Sequence, residues 1–335
     1  MNANTMPKIN LKDNLKFGKT FCPLPFISYH TNVQKRRMLC CISDVEVSTD
    51  RLNEIRDSIL EEQPVSECDI CYRKDEFKLF SRRQRQLKDW LAHSDKLHNA
   101  IEQYQLGHEV EPIDYDLRYS NLCNLECQTC NPIFSSSIAK AQGKEIPFLQ
   151  YEPELKINPA AERIYLAGGE PFLIKSFSRL LNDMTNKNCE ILINTNVTTL
   201  TDHMLTALDK FTNISFTLSI DGYGDLNEKI RKNSVWSEID ANIDILANRY
   251  GGHGKMLVNT VVQRDNVNHL LDLGNWVTSK GINHWTLTLL TQPKEFEFMN
   301  CPDIHIPEAL LDLPVVRTNI ENTNMLKYIR DYAKN

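Results

Sequence analysis

The chain has 335 residues and a formal net charge of −6. Its hydrophobic fraction of 41% is enough to build a well-packed core, whereas no run of about 20 apolar residues is available to span a bilayer. The acidic balance disfavours, without excluding, a protein that holds nucleic acid through phosphate contacts, since such proteins carry a basic footprint.

Ten cysteines have to be explained in this chain. Residues 1–19 contain no apolar segment of signal-peptide length, so a cytoplasmic, reducing location is expected. In such a compartment, clustered cysteines are more often metal ligands or catalytic groups than disulfides. Eight of the ten precede residue 131, which predicts metal chemistry in the first part of the chain.

The first cysteine-rich segment covers residues 21–72 and lacks long periodic stretches. This pattern predicts a small, irregular module that a bound metal centre holds together. Its four expected ligands are Cys22, Cys40, Cys68 and Cys71. Spacing does not decide between Cys40 and its neighbour Cys41, and we favour Cys40. A structural zinc site is the alternative, because a CxxC pair with two more distant cysteines also suits zinc.

A helical segment is predicted over residues 73–105. Apolar residues at helical spacing define one face: Phe77, Phe80, Leu87, Leu91 and Leu97. The other face is basic: Arg73, Lys74, Lys78, Arg82, Arg83, Arg85 and Lys88. A basic face of this kind is most often simply solvated, and the functional alternative is a landing site for an acidic redox partner.

From residue 113 onward, the sequence alternates between strand and helix patterns. Six strands are predicted: 113–120, 163–167, 190–195, 214–220, 255–263 and 284–290. Helices are predicted between them: 172–184, 201–210, a longer segment ending near 249, and 267–279. Such alternation is typical of βαβ units around a parallel sheet, whose active sites lie past the strand ends. The residues after about 302 contain two prolines and are predicted to form a cap or lid.

The loop after the first of these strands carries three cysteines, Cys123, Cys127 and Cys130, in a CxxxCxxC pattern. A [4Fe–4S] cluster normally takes four thiolates, so three leave one iron open, and an open coordination site is typical of a catalytic metal. Cys189 starts a later strand and is poorly placed to be the fourth ligand. A structural zinc knuckle or a chance cluster is the alternative for the bare motif.

This motif, following the first strand of a βα-repeat domain, resembles the signature of the radical S-adenosylmethionine (SAM) superfamily. The resemblance covers roughly residues 113–290. It implies that the open iron of a [4Fe–4S] cluster binds the amino and carboxylate groups of SAM. It also implies that the reduced cluster cleaves SAM to methionine and a 5′-deoxyadenosyl radical, which abstracts a hydrogen atom. One departure is Thr129, where the family usually has an aromatic residue or Met.

Three further segments at successive strand ends resemble SAM-binding motifs of that superfamily. Residues 166–171 resemble its GGE motif, and residues 194–196 resemble its TNG-like motif, with Val197 in place of the glycine. Residues 219–222 resemble the segment that binds the SAM ribose and carboxylate. The SAM contacts that the resemblance implies are Gly168, Gly169, Glu170, Asn196, Ser219, Asp221 and Arg231. For Arg231, a surface salt bridge is the alternative to a contact with the SAM carboxylate.

The N-terminal cysteine module resembles the SPASM and Twitch domains that carry auxiliary iron–sulfur clusters in many radical SAM enzymes, although here it precedes the barrel. The expected fold is α/β, a partial (β/α)6 TIM-like barrel with a small N-terminal cysteine-rich cluster-binding domain. Three domains are expected: residues 1–110 for the auxiliary cluster domain with its helical linker, 111–300 for the radical SAM core, and 301–335 for a C-terminal tail.

The expected function is reductive cleavage of SAM followed by hydrogen abstraction from a substrate, and the resemblance of the N-terminal module implies a peptide or protein. The implied cofactors are a [4Fe–4S] cluster, SAM and an auxiliary iron–sulfur cluster, with a flavodoxin- or ferredoxin-type electron donor and no membrane partner. Two alternatives stay open. One is a radical SAM enzyme acting on a nucleotide, nucleic acid or small metabolite. The other is a non-catalytic iron–sulfur or zinc binding protein, against which the intact GGEP and SIDG segments argue.

Overall fold

The chain folds into two compact units. The first contains residues up to 30 together with 36–115, and the second contains 31–35 and everything from 116 onward. The computed structural model describes residues 18–33, 36–43, 45–77, 81–145 and 157–334. In this described part, no helix combines the length and the apolar character that crossing a bilayer requires.

The first part of the chain is mostly helical. Its elements are α1 (Leu24–Ile27), β1 (Ser28–Thr31), β2 (Arg37–Met38), α2 (Thr49–Leu60), α3 (Asp69–Glu76), α4 (Arg82–Leu91) and α5 (Ser94–Gln105). Ser48 and Ser81 begin α2 and α4, because each hydroxyl accepts a hydrogen bond from a backbone N–H of the first turn. Residues four apart on α2 and α5 form the core: Ile55, Ile59, Leu97 and Ile101. Phe26 of α1 joins this core.

The segment 73–105 is helical as predicted, but it divides among α3, α4 and α5, and its buried face differs from the prediction. Phe77 is 76% exposed and Leu91 is 47% exposed. Helix α4 instead buries a stripe at helical spacing: Arg83, Gln86 and Trp90. The apolar-face prediction was wrong for Phe77 and Leu91, whereas Leu87 packs against the core of the first unit. Arg83, predicted on the basic face, is buried because it forms an ion pair with Asp75. Phe80 and Lys78 lie outside the described residues.

The rest of the chain alternates strands and helices. Its elements are β3 (Asp114–Leu117), β4 (Glu126–Cys127), α6 (Ser136–Ala141), β5 (Arg163–Leu166), α7 (Lys175–Asp183), β6 (Glu190–Thr195), α8 (Asp202–Leu208), β7 (Asn213–Ser219), α9 (Asp225–Ile230), β8 (Arg231–Lys232), α10 (Trp236–Tyr250), β9 (Met256–Val262), α11 (Leu270–Ser279), β10 (His284–Leu289), α12 (Glu308–Asp312), α13 (Pro314–Arg317) and α14 (Ile320–Tyr332).

Strands β3, β5, β6, β7, β9 and β10 are neighbours in this order within one sheet. The pairs β5–β6, β6–β7, β7–β9 and β9–β10 are parallel, and in β6–β7 residues 190–195 stand opposite 213–218. Because helices return the chain between parallel strands, the carboxyl ends of the strands meet at one edge of the sheet. The predicted α/β class, with a partial (β/α)6 barrel, is confirmed.

Two element boundaries differ from the predicted ones next to the cysteine loop. Strand β3 stops at Leu117, before the predicted end at residue 120, because the chain there turns into the loop that carries the cysteines. Helix α7 begins at Lys175 rather than at residue 172, because a short 3-10 turn over Pro171–Leu173 precedes it. The ends of β3 and β5 lie side by side, since the Ala167 N–H donates to the Leu117 carbonyl (3.0 Å).

The segment predicted as a cap or lid forms α12, α13 and α14, and it is part of the second unit. Asn322 of α14 is 1% exposed and contacts the backbone of β10. Its Nδ2 donates to the carbonyl of Trp285 (2.7 Å), and its Oδ1 accepts from the N–H of Leu287 (2.9 Å). One side chain therefore satisfies two backbone groups of the last strand in the sheet order.

We expect Asn322→Ala to lower the free energy of unfolding by about 1–3 kcal/mol, because it leaves the Leu287 N–H without its partner, whereas the Trp285 carbonyl keeps a donor in Asn319 Nδ2 (3.1 Å). Asn324→Ala is the matched control, since Asn324 is exposed on the same helix and should change stability by less than about 0.5 kcal/mol. Denaturant unfolding followed by circular dichroism measures both. Equal stability of the two variants would show that the bonds from Asn322 to β10 do not stabilise the fold.

Candidate functional site

The three cysteines of the CxxxCxxC motif lie between β3 and α6, and each is partly exposed. Cys127 belongs to β4 and pairs with Arg231 of β8 in an antiparallel arrangement. The N–H of Gln128 extends this pairing by donating to the carbonyl of Ile230 (2.9 Å). The cysteine loop is therefore fixed to the segment that follows β7 and α9.

A run of three serines at the start of α6 holds the backbone around Cys123. Ser137 Oγ donates to the Cys123 carbonyl (2.8 Å), and the Cys123 N–H donates to Ser136 Oγ (3.1 Å). Ser135 Oγ donates to the carbonyl of Leu125 (2.7 Å). These serines were not among the predicted site residues, although serines directly before a helix are a recognisable capping signal.

The two glycines of the GGE segment lie directly against the cysteine loop. The Gly169 N–H donates to the Ser120 carbonyl (2.8 Å), and the Glu170 N–H donates to the Leu122 carbonyl (2.7 Å). A Cβ on Gly169 would overlap the Leu122 carbonyl, and one on Gly168, whose φ is +121°, would stand 2.7 Å from the Ser120 oxygen. Glycine is required here because two backbone segments touch.

The carboxylate of Glu170 is fully buried and accepts three hydrogen bonds from the protein itself. Oε1 accepts from Thr195 Oγ1 (2.7 Å) and from the N–H of Phe172 (3.1 Å). Oε2 accepts from the N–H of Asn196 (2.7 Å). Burial raises the pKa of Glu170 to about 7, against the effect of these donors. The side chain therefore joins the end of β5 to the end of β6.

Asn196 lies beside the first cysteine of the motif. Its Nδ2 stands 3.9 Å from Cys123 Sγ and donates to Asn124 Oδ1 (3.1 Å). Its Oδ1 accepts from the N–H of Thr198 (3.0 Å) and from Thr198 Oγ1 (2.7 Å). These bonds fix the orientation of the amide, so that the Asn196 N–H groups point toward the cysteine loop.

Val197, which replaces the glycine of the TNG-like motif, has φ +54°. Branched side chains rarely adopt this left-handed conformation, whereas glycine adopts it freely. The Val197 N–H donates to Thr195 Oγ1 (2.9 Å), and its carbonyl accepts from Asn242 Nδ2 (2.9 Å). The strained backbone is thus held by contacts on both sides.

Arg231 forms an ion pair with Asp221 inside the protein rather than at its surface. The Nη2 of Arg231 lies 2.9 Å from Asp221 Oδ2, and both side chains are buried. Asp221 Oδ1 also accepts from the N–H of Val261 (2.7 Å). The Nη1 of Arg231 lies 3.9 Å from Cys127 Sγ, and its Nε is buried without a hydrogen-bond partner among the described residues. A cation with an unused donor therefore stands at the second cysteine.

Ser219 contacts the neighbouring strand rather than the cysteine loop: its Oγ donates to Asn194 Oδ1 (3.3 Å) between β7 and β6. The other predicted residues gather around the loop, the glycines and Asn196 near Cys123 and Arg231 near Cys127. The structure thus brings together, from the ends of β5, β6 and β7 and from the start of β8, most of the residues that the sequence assigned to SAM.

The cysteine thiols have raised pKa values. Burial raises the pKa of Cys123 to about 11 and that of Cys127 to about 12, and the Arg231 guanidinium opposes the rise at Cys127. Among the described residues, no three Cys, His, Asp or Glu side chains already meet in a metal-coordinating arrangement. Holding an iron–sulfur cluster would require the three thiols to turn toward a common centre and to lose their protons.

The four cysteines predicted for the N-terminal module line one pocket of the first unit: Cys22, Cys40, Cys68 and Cys71. Cys41 is not among the residues that line it. Apolar side chains form much of the remaining wall: Leu24, Pro25, Leu39, Ile42 and Ile70. Burial raises the pKa of Cys40 to about 11 and that of Cys68 to about 12. Four soft donors in an apolar pocket suit zinc or an iron–sulfur cluster.

Residues 117–277 match the family model of the Radical SAM superfamily, the family that the cysteine motif predicted. The match begins at the end of β3 and ends within α11, so it includes the cysteine loop and the segments around it. A comparison with curated protein sequences gave no match.

Among solved structures, the chain is similar to native anSMEcpe with bound AdoMet, at 17% identity over 53% of this chain and 51% of that chain, with a TM-score of 0.40. It is also similar to Streptococcus suis SuiB bound to S-adenosylmethionine, at 12% identity over 87% of this chain and 64% of that chain, with a TM-score of 0.42. The chain thus spans about half the length of anSMEcpe.

We expect Gly169→Ala to lower the free energy of unfolding by about 3 kcal/mol, because its Cβ would overlap the Leu122 carbonyl and neither backbone segment can withdraw alone. Gly254→Ala is the control, since a Cβ there meets only Asn283 Nδ2 at 3.5 Å, an ordinary contact. Denaturant unfolding and the iron content after reconstitution are the measurements. A Gly169→Ala variant as stable and as iron-rich as the control would contradict the packing of the GGE segment on the cysteine loop.

Proposed function

We propose that the protein is a radical SAM enzyme, which uses a [4Fe–4S] cluster and S-adenosylmethionine to abstract a hydrogen atom from a peptide or protein. The match of residues 117–277 to the Radical SAM family model supports this proposal. The observation that carries this proposal is the joint placement of Asn196 at Cys123 and Arg231 at Cys127. Two nitrogen donors from different strand ends thus flank the loop where the cofactors would sit.

We assign the three iron ligands of the SAM-cleaving cluster to Cys123, Cys127 and Cys130. When bound and reduced, the cluster supplies the electron that cleaves SAM to methionine and a 5′-deoxyadenosyl radical. The three cysteines lie on a loop whose backbone at Cys123 is held by Ser136 and Ser137. We propose that the thiols turn toward a common centre when the cluster binds. Arg231 would offset the negative charge of the thiolates.

The SAM molecule would lie along the carboxyl ends of β5, β6 and β7. Gly168 and Gly169 allow the end of β5 to pack against the cysteine loop. The unused Nε of Arg231 suits a carboxylate. Ser219, Asp221 and the Asn196 amide complete the proposed set.

Glu170 acts mainly by positioning in this proposal. Its carboxylate already accepts three hydrogen bonds and is fully buried, so its effect reaches the ligand through Asn196, whose N–H it holds.

The N-terminal pocket is proposed to hold an auxiliary iron–sulfur cluster on Cys22, Cys40, Cys68 and Cys71. All four side chains line the same pocket, and this placement supports Cys40 over Cys41 as the ligand. A four-thiolate zinc site is the alternative occupant, and the iron-to-zinc ratio of reconstituted protein distinguishes the two.

We expect replacement of Cys123, Cys127 and Cys130 together by Ala to abolish formation of 5′-deoxyadenosine from SAM, because the cluster loses all its protein ligands. The variant should keep about four of the about eight irons that two [4Fe–4S] clusters contain. Cys301→Ala is the control, since that cysteine belongs to neither proposed ligand set, and it should retain cleavage. Anaerobic reconstitution followed by mass spectrometry measures the product. Full cleavage by the triple variant would overturn the ligand assignment.

The charge of the chain supports a peptide substrate over a nucleic acid. The net charge of −6 does not suit a polyanion, and the basic stretch predicted before the barrel is less available than its sequence suggests. Arg83 is buried and paired with Asp75, and Arg82 lines the cysteine pocket. Of the basic residues in this stretch that the structure describes, four are exposed: Arg73, Lys74, Arg85 and Lys88. We propose that these four receive an acidic flavodoxin- or ferredoxin-type electron donor.

We expect mixed-sequence oligonucleotides to bind weakly and peptides to bind with little dependence on salt. Binding through several phosphates would instead weaken steeply as salt rises, because counterions are released on binding. Fluorescence anisotropy at low and moderate salt measures both. Tight oligonucleotide binding with a steep salt slope, lost when Arg85 and Lys88 are replaced by Ala, would refute the peptide proposal and favour nucleic-acid modification.

A further inference from the structure

Two arginines of α4, Arg82 and Arg83, line the pocket that contains Cys22, Cys40, Cys68 and Cys71. The pocket also contains one carboxylate, that of Glu67. An apolar pocket with several charges is stable only if each charge has a partner. The pairing of these charged groups therefore shows what kind of occupant the pocket requires.

Arg83 and Glu67 are already neutralised by residues of the protein. The Nε of Arg83 donates to Asp75 Oδ2 (2.9 Å), its Nη2 pairs with the same carboxylate, and its Nη1 donates to the carbonyl of Phe21 (2.8 Å). Glu67 accepts from the Nε (2.8 Å) and Nη2 (3.0 Å) of Arg51. Arg83 is thus a brace between α3 and the backbone next to Cys22, and Glu67 is not available to a second cation.

Arg82 differs from its neighbour. Its Nε is buried, and the described residues offer this atom no hydrogen-bond partner. The same pocket wall carries four thiols whose deprotonation on a metal would create negative charge. Four thiolates around a dipositive metal group keep a net negative charge, which a guanidinium can offset while it donates N–H groups to sulfur.

We infer that Arg82 is the positioning residue of the N-terminal metal group, supplying the counter-charge and an N–H donor to its sulfur ligands. This inference rests on the proposed auxiliary metal group. Hydrogen bonds and positive charge near an iron–sulfur cluster favour its more negative, reduced state, so Arg82 raises the reduction potential of the group and strengthens metal retention.

The test uses the full chain with Cys123, Cys127 and Cys130 replaced by Ala, so that the N-terminal group gives the only cluster signal. Arg82→Gln and Arg82→Lys are compared with Arg85→Gln, which makes the same chemical change at an exposed position of the same helix. Redox titration followed by electron paramagnetic resonance gives the potential, and iron or zinc release to a chelator gives metal retention. Arg82→Lys keeps the charge and guards against a folding defect in Arg82→Gln.

We expect a lower reduction potential and about 10- to 100-fold weaker metal retention in Arg82→Gln than in Arg85→Gln, with Arg82→Lys between them. If the metal group is zinc, it has no reduction potential to measure, and the difference in metal retention between Arg82→Gln and Arg85→Gln is the test. Metal binding with equal potential and equal retention in Arg82→Gln and Arg85→Gln would overturn the role of Arg82 and leave the auxiliary group intact. Failure of every variant to bind metal at this pocket would overturn the auxiliary group itself, and the inference with it.

Discussion

The contact between the cysteine loop and the GGE segment determines the rest of the candidate site. Two hydrogen bonds, from Gly169 to Ser120 and from Glu170 to Leu122, bring the end of β5 against the loop that follows β3. Side chains at the glycines would prevent this approach. Because the loop is held there, its cysteines lie at the carboxyl edge of the sheet, where the ends of the next strands can reach them.

Two buried acidic groups then fix those strand ends. Glu170 binds the Asn196 backbone, and Asp221 pairs with Arg231, so each carboxylate positions a nitrogen donor close to a cysteine. Removing one partner of such a buried pair is costly, typically about 3–5 kcal/mol, because the other charge is left uncompensated. The acids therefore contribute to the site through the residues that they orient, and the strain at Val197 is held within the same network.

The sequence predicted the parts of the structure that depend on local pattern. The alternation of strand and helix patterns predicted the parallel sheet. The CxxxCxxC and GGE motifs predicted a site at the carboxyl edge of that sheet. The partner of Arg231 was not predictable from the sequence. Asp221 follows β7 and Arg231 begins β8, and only the folded structure shows that the two side chains form a buried ion pair. Hydrophobic periodicity could not predict the burial of Arg83 in α4 for the same reason. Its partner, Asp75, lies on the preceding helix.

The central claim is that three cysteines leave one iron open and that SAM binds there beside Arg231. The most direct measurement is electron–nuclear double resonance on the reduced cluster with SAM labelled by ¹⁷O in its carboxylate. The account predicts a hyperfine coupling from the label to the cluster, weakened or lost when Arg231 is replaced by Gln. Bound SAM with no coupling in the otherwise unaltered protein would contradict the open iron site.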